Sequence, residues 1–325
     1  MARMTMIQAI NQALMQAMER DPHVVVMGED VGKDGGVFRA TQGLYERFGP
    51  DRSIDTPLAE GGIVGTAIGM AVYGMRPVAE IQFMGFAYQS FAHLVAQAAR
   101  IRFRSVGRYH VPMVLRAPYG GGVKALELHS DTLEARVLHT PGLKFVTPST
   151  PYEAKGLLLA AIDDPDPVIF GEPLRIYRSH REEVPEEIYT LPIGKARIVQ
   201  EGTDVTLISW GSQMPTVLAT AEQAKADGIS VEVIDLRTIA PMDQETLIAS
   251  VEKTHRAVIV EETPLLGSVA SEISALLAEK AILSLEAPPI RVAGYDIPYP
   301  PVSVEEAYLP SPARVRKAID RVLHF

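Results

Sequence analysis

"DTPLAEGGIVGTAIGMAVYGMRPVAEIQF" occupies residues 55–83. Asp55-Thr56 and Pro57 read as a strand end or turn that leads into a helix. Residues 60–73 carry glycine, alanine and branched aliphatics at helical spacing. Arg76-Pro77 then opens a short β-rich run, "RPVAEIQF" (76–83). Strand end, helix and strand in succession are the unit of a parallel sheet.

The same alternation extends outward. In the N-terminal part "HVVVMG" (23–28), "VPMVLRAP" (111–118), "LKFVTP" (143–148) and "PVIFGEP" (167–173) are strand-like runs bounded by Gly or Pro. Helical patterns cover 60–73, 87–104 and 151–163, and Ile7, Ile10, Leu14 and Met18 mark another near the start. "SHREEVPEEIYTLPIG" (179–194) is charged, contains proline and lacks an apolar period, so it reads as an interdomain linker. Beyond it, "DVTLISWG", "SVEVIDLRT", "RAVIVEE" and "PIRVAG" alternate with helices at 213–227, 243–254, 267–281 and 311–323. The expected fold is α/β: two doubly wound, mostly parallel-sheet domains over 1–178 and 195–325, joined by 179–194.

The 325 residues suffice for two domains, and 47% hydrophobic with 22% charged residues is ordinary for a globular chain. A net charge of −9 argues against nucleic acid or an anionic membrane as the main partner. The absence of cysteine excludes disulfides, thiolate metal sites and a cysteine nucleophile, and fits a reducing compartment. "MARMTMIQAINQALMQAMERD" lacks the continuous apolar core of a signal peptide, so a cytoplasmic location is expected.

Within the opening stretch, Glu60 is the one acid at the mouth of the helix. It either complements the helix dipole, worth about 0.3–1 kcal/mol, or serves chemistry there. Gly61, Gly65 and Gly69 form one stripe at i, i+4, i+8. Each costs roughly 0.8–1 kcal/mol relative to alanine, a cost that close approach of a backbone, a helix or a ligand would offset.

There is no G-x-x-x-x-G-K-[ST], no G-x-G-x-x-G after a strand, no G-x-S-x-G and no H-E-x-x-H. "YGGGVKA" (119–125) is a weak candidate for a phosphate cradle. "GEDVG" (28–32) follows the first strand, where α/β folds place ligand groups, and contains Glu29. His129 in "LELHSD" is either a solvated loop histidine or a general acid/base. "IQFMGFAYQSF" (81–91) is either core or a ring-stacking surface for a flat heterocycle. "IDDPDP" (162–167) puts Asp163, Asp164 and Asp166 at a helix C-terminus, read as a solvated turn or a cation site.

In order, "MTMIQAINQAL", "GEDVGKDGGVFRAT", "DTPLAEGGIVGTAIGMA", "RPVAEIQF", "LELHSDTLEARVLHTPGLKFVTPSTPYEAKGLL", "DPVIFGEP" and "EVIDLRTIAPMD" resemble the β subunit of the decarboxylating component of 2-oxo acid dehydrogenase complexes. The resemblance covers essentially the whole chain. It implies a transketolase-like fold, with a thiamine-diphosphate pyrimidine-binding domain followed by a transketolase C-terminal-like domain. It also implies an α₂β₂ heterotetramer that holds each cofactor between an α and a β subunit, and an acyltransferase core whose lipoyl domain is acylated.

By this resemblance Glu60 accepts a hydrogen bond from the N1′ side of the aminopyrimidine. That promotes the imino tautomer that removes the thiazolium C2 proton. Leu58, Gln82 and Phe86 match positions flanking the pyrimidine, Glu29 is counted with them, and His129 matches the histidine facing the substrate. The G-D-G segment and following asparagine that hold Mg²⁺ and diphosphate in this superfamily are absent; the sole asparagine, Asn11, lies too early. The α partner is expected to supply that half. A structural K⁺ is implied at "IDDPDP", on the carbonyls of Ala161, Asp164 and Asp166 with Val111, Met113 and Val114. "LELHSD" and "IQFMGF" look closer to bacterial pyruvate-type members than to branched-chain ones. Pyruvate is therefore the expected substrate, and a branched-chain 2-oxo acid, acetoin or a non-catalytic docking role is the alternative.

Overall fold

The computed structural model describes residues 2–325. It divides into two compact units. The first comprises the described residues through Tyr119 together with Leu128–Ile193; the second comprises Gly120–Glu127 and Gly194–Phe325.

In the first unit the parallel strands Lys144–Val146, Val168–Pro173, Val114–Tyr119, Arg76–Glu80, Val24–Gly28 and Ser53–Asp55 lie side by side in that order. Four of these, including Val24–Gly28 and Val114–Tyr119, are buried along nearly their whole length, as strands covered on both faces must be. The helix Met6–Arg20 starts at a capping box, in which the Gln8 side chain accepts from the Thr5 N–H at 3.0 Å. Its buried face includes Ile7, Ile10, Leu14 and Met18, and it packs against the helix Pro151–Asp163. That second helix is opened by Thr150, whose hydroxyl accepts from the Glu153 N–H at 3.2 Å, with Pro151 in the first turn.

The helix expected over 60–73 runs Glu60–Val72. The helix expected over 87–104 is broken instead. A 3₁₀ segment, Met84–Ser90, passes through Phe91–His93 into a π turn at Leu94–Ala98, then Ile101–Arg104. Two close backbone approaches flank the broken stretch. A Cβ on Gly85 would lie 2.0 Å from the Leu128 carbonyl oxygen, and one on Gly142 would lie 2.1 Å from that of Ala99. The π turn closes with the Ala99 N–H on the Leu94 carbonyl at 2.9 Å.

All of the expected linker 179–194 but Gly194 is part of the first unit. Glu182–Val184 pairs antiparallel with Ala2–Met4. The buried Lys155 ammonium donates to the carbonyls of Pro185, Glu186 and Glu187 at 2.6, 3.2 and 2.9 Å, and Tyr189 stacks on Tyr152 at 4.7 Å. Charge and proline in this segment serve docking rather than mobility, so the boundary falls at 193/194.

The second unit carries the strands Ile290–Gly294, Ala257–Pro264, Val205–Ser209 and Val231–Asp235 in parallel, with Arg197–Gln200 antiparallel at one edge. The helices Met214–Ala226, Gln244–Thr254, Val269–Lys280 and Pro312–Leu323 match the expected alternation within one to two residues. Among the described residues no helix is long and apolar enough to cross a membrane.

Candidate functional site

The carboxyl ends of three adjacent strands assemble the acidic part of the site. Val24–Gly28, Ser53–Asp55 and Arg76–Glu80 run in register, pairing Gly28 with Asp55 and with Glu80. Gly28 is required there, because a Cβ would lie 2.6 Å from the Glu80 carbonyl oxygen. The chain then turns through Glu29. Asp55 holds that turn by accepting from the Gly32 N–H at 2.6 Å and the Lys33 N–H at 3.2 Å.

Glu60 begins its helix, is 3% exposed, and has no hydrogen-bond partner for its carboxylate among the described residues. Glu29 is also buried, and its Oε1 has no partner among the described residues. Burial pushes the Glu29 carboxyl above the usual range, and the charges of Glu60, Asp30 and Glu80 add to the shift. A solvated dipole partner would be neither so buried nor so close to a second acid. Gln82 donates toward Asp30 at 3.4 Å, and Leu58 is 76% exposed just before the helix.

The second part is aromatic. The segment Met84–Ser90 packs against the helix Glu60–Val72. The His129 ring lies edge-on to Phe83 at 4.5 Å and to Phe86 at 5.0 Å, and Phe83 meets Phe86 at 5.6 Å and Phe38 at 5.6 Å. His129 Nδ1 is buried without a hydrogen-bond partner among the described residues. The loop after the histidine is tied down by Tyr88, which donates to Asp131 at 3.1 Å and accepts from Arg136 at 2.6 Å.

Glu29, Glu60, Gln82, Phe86 and His129 thus all stand on the strand ends or on segments packed beside them. Phe83 and Phe38 complete the aromatic wall; the sequence reading had Phe83 only within the core-or-stacking stretch 81–91 and left Phe38 out. The signal for Phe83 was its place in "IQFMGFAYQSF"; Phe38 had none. Arg116 was also missed. It lies in the adjacent strand, opposite Glu80 in register, and pairs with both Glu80 and Glu172 away from solvent. A lone arginine in the apolar run "VPMVLRAP" was its signal.

Other candidates fall elsewhere. In the second unit the glycine-rich loop is held by that unit's own carboxylates. The Gly121 N–H donates to Glu262 at 3.0 Å, and the Gly122 and Lys124 N–H groups donate to Glu305 at 3.0 and 3.2 Å. Its anion-binding capacity is met internally, so the phosphate-cradle alternative loses its basis. Asn11 is structural, donating to the carbonyls of Ala40 and Gln42 at 2.9 Å each.

Val111, Met113 and Val114 lie at the opposite, amino end of the strand Val114–Tyr119, where the Val168 N–H donates to the Met113 carbonyl at 3.0 Å; Ala161, Asp164 and Asp166 belong to the helix end and turn that lead into Val168. The aspartates there are balanced within the chain. Asp163 pairs with Arg20, Asp164 with Lys144 at 2.7 Å, and Asp166 with Arg102 at 2.6 Å. Arg76 also donates to the Ile162 carbonyl at 2.8 Å, and the Asp164 N–H to that of Ala161 at 3.3 Å. Between the two readings of this turn, the contacts show that its aspartate charges are neutralised by basic side chains of the same chain. Among the described residues no group of three or more His, Cys, Asp or Glu side chains is arranged to hold a metal.

Comparisons with known proteins bear on the family and the fold. Residues 2–179 match the family described as "Transketolase, pyrimidine binding domain", and 194–315 match "Transketolase, C-terminal domain". The chain is 52% identical over 322 residues to a protein of Acholeplasma laidlawii, covering 99% of this chain and 98% of that one. It is 53% identical to a protein of Staphylococcus epidermidis and 51% identical to one of Bacillus subtilis, each over 325 residues and the full length of both chains. All three are named pyruvate dehydrogenase E1 component subunit beta. A solved structure titled "Split gene transketolase, inactive beta4 tetramer" shares the fold, with a TM-score of 0.81 at 21% identity over 99% of each chain. Sequence, strand-end geometry and full-length similarity converge, and the chain belongs to the family of pyruvate dehydrogenase E1 component β subunits, built from the transketolase pyrimidine-binding and C-terminal domains.

Proposed function

We propose that the chain, paired with an α subunit as α₂β₂, forms the pyrimidine side of a thiamine-diphosphate site for oxidative decarboxylation of pyruvate and acylation of a lipoyl group. The observation that carries this reading is the buried Glu60 carboxylate, without a hydrogen-bond partner and next to a Glu29 that burial and Glu60 hold toward its protonated form. A carboxylate so placed accepts a proton-bearing ring nitrogen in a dry setting, where a hydrogen bond is electrostatically stronger than in water. Phe86 and Leu58 supply apolar surface for a flat ring, and Gln82 orients its edge. His129, pinned by Phe83 and Phe86 with a free buried nitrogen, faces the reacting end as a proton donor or acceptor. Thiamine diphosphate, when bound, would supply the carbon that attacks the 2-oxo group and stabilises the charge left by loss of CO₂.

The chain has no G-D-G segment, and its only asparagine is engaged in the fold, so the Mg²⁺-diphosphate end is assigned to the α subunit. Cytoplasmic location fits the absence of cysteine. The acyltransferase core is the partner that receives the acyl group.

The test mixes the chain with its α partner and follows an artificial electron acceptor with pyruvate and with 3-methyl-2-oxobutanoate. Higher kcat/KM for pyruvate, abolished by Glu60→Gln in an assembled tetramer, is the expected result. Activity and C2 proton exchange within a few-fold of wild type in that variant would reduce Glu60 to a dipole partner. A preference for the branched substrate would reassign the substrate.

A further inference from the structure

A cavity of about 640 Å³ opens at the start of the helix Met6–Arg20, within the first unit. Thr5, Ile7, Gln8, Asn11, Gln42 and three arginines, Arg39, Arg178 and Arg181, line it. No carboxylate is among its walls, and none of the three guanidinium groups has an ion-pair partner among the described residues. In a chain of net charge −9 such a local excess of positive charge runs against the overall balance.

The arginines are positioned rather than loose. Arg178 donates to the Phe38 carbonyl at 2.8 Å, and Arg181 to Gln8 Oε1 at 3.0 Å; Arg39 donates to the Asp34 carbonyl. Each guanidinium carries five N–H donors, so these neutral contacts orient the forks and leave donors unspent. Gln8 spends its amide oxygen on Arg181 and on the Thr5 N–H, which leaves its amide nitrogen to donate. Arg39 has a left-handed backbone, with φ of 69°. That conformation costs a non-glycine residue on the order of 1–3 kcal/mol. The turn is held there by Asn11, which bonds the carbonyls of Ala40 and Gln42, and by Thr41, whose hydroxyl donates to Val31 at 2.7 Å. The helix behind it has no acid in its first turn, so its positive end adds to the same field.

We propose that this cavity binds a small phosphorylated metabolite. Three planar forks match the several oxygens of phosphoryl groups bidentately, whereas a single carboxylate would leave two of the three charges unmatched. The volume is that of a small-molecule site and exceeds what one inorganic ion fills. The proposal stands independently of the thiamine-diphosphate reading, because none of its residues takes part in that one.

The test uses the assembled α₂β₂ enzyme saturated with thiamine diphosphate and Mg²⁺, titrated calorimetrically with inorganic phosphate and with fructose 1,6-bisphosphate. Saturable binding of at least one probe, one per β chain, is expected. Arg178→Gln, Arg181→Gln and Gln42→Glu should each weaken it at least tenfold, with kcat on pyruvate in the absence of probe unchanged. Gln42→Glu keeps all three arginines and guards against a folding defect in the other two. Lack of saturable binding of either probe at millimolar concentration would overturn the proposal. So would equal affinity in the three variants, or folded variants that no longer assemble with α, since the arginines would then be partner contacts.

Discussion

Arg116 and Glu172 are joined by two hydrogen bonds, Nε to Oε1 at 2.7 Å and Nη2 to Oε2 at 3.0 Å, with both side chains out of solvent. Arg116 also pairs with Glu80, and Tyr177 donates to Glu172. Burial alone would lower the Arg116 pKa; the charges of Glu172 and Glu80 outweigh it and hold the guanidinium above its usual range. Burial also pushes Glu172 up, against the pull of Arg116. One cation thus serves two carboxylates beneath the strand ends that carry Glu29. Arg116→Met leaves both acids without a counter-charge and should destabilise the chain by about 3–5 kcal/mol. Arg116→Lys should recover only part of this, because an ammonium lacks the planar fork. Denaturant unfolding of the assembled variants measures both; a loss below 1 kcal/mol for Arg116→Met would show that the network relaxes around the gap.

His129 is held by two phenyl rings and by the Tyr88–Asp131–Arg136 link behind its loop. It stands among aromatic groups, whereas Glu60 stands among acids. The two residues should therefore fail at different steps. His129→Ala should leave C2 proton exchange within a few-fold of wild type and slow acylation of a lipoyl domain by about 10²-fold or more, the scale of a lost general acid/base. Single-turnover acylation with a free lipoyl domain separates the steps. Equal loss in both would show that the histidine only supports the Phe83–Phe86 wall.

Legibility in the sequence followed the range of the interactions involved. Glu60–Val72 and the second unit's helices come from local periodicity, and all are found within one to two residues of expectation. The broken stretch at 87–104 is flanked by distant backbone, Leu128 beside Gly85 and Gly142 beside Ala99, which no local pattern records. The docking of 179–194 depends on Lys155, whose burial no pattern in that segment announces. The glycine stripe is partly answered. A Cβ on Gly61 would meet Gln89 and His93 at 3.7 Å, but at Gly65 and Gly69 it would meet nothing within 4 Å. Packing inside this chain therefore does not explain those two glycines.

Glu261 in the second unit offers a pH test separate from the candidate site. Burial pushes its carboxyl up to about 7, although the Ala270 N–H donates to it at 3.4 Å and Ser268, Thr263 and Arg291 lie near. Between the ordinary value of 4.5 and about 7, the folded chain keeps a proton that the unfolded chain releases. Stability from this group is therefore complete below the unfolded pKa and is lost as pH rises through that window. The loss is on the order of 3 kcal/mol. Glu261→Gln should melt at a higher temperature than wild type near pH 8 and show a shallower decline from about pH 5 to pH 8. Parallel melting curves for the two proteins across that range would mean that Glu261 ionises in the fold without penalty.

The turn at 162–167 bears on whether a monovalent cation belongs to the fold. Its aspartates already have Lys144, Arg102 and Arg20 as partners, so side-chain charge does not call for an ion. Backbone oxygens do leave room for one. The Ala161 and Met113 carbonyls each accept one N–H, from Asp164 and Val168, and a carbonyl oxygen has a second lone pair. Pro165 and Pro167 bring no N–H to use it. A set of neutral carbonyls with its carboxylates already paired suits a large, weakly hydrated ion better than octahedral Mg²⁺. We therefore expect the assembled enzyme to melt higher in KCl than in tetramethylammonium chloride at equal ionic strength. The gain should approach about 2.7 kcal/mol when K⁺ exceeds its dissociation constant a hundredfold. The ion would fix the start of the strand Val114–Tyr119. Asp164→Ala should reduce the K⁺-specific gain less than Pro165→Gly, which frees the backbone that aims the carbonyls. Equal melting in the two salts, with no anomalous peak at the turn after Rb⁺ or Tl⁺ soaking, would mean that water and the basic side chains complete it.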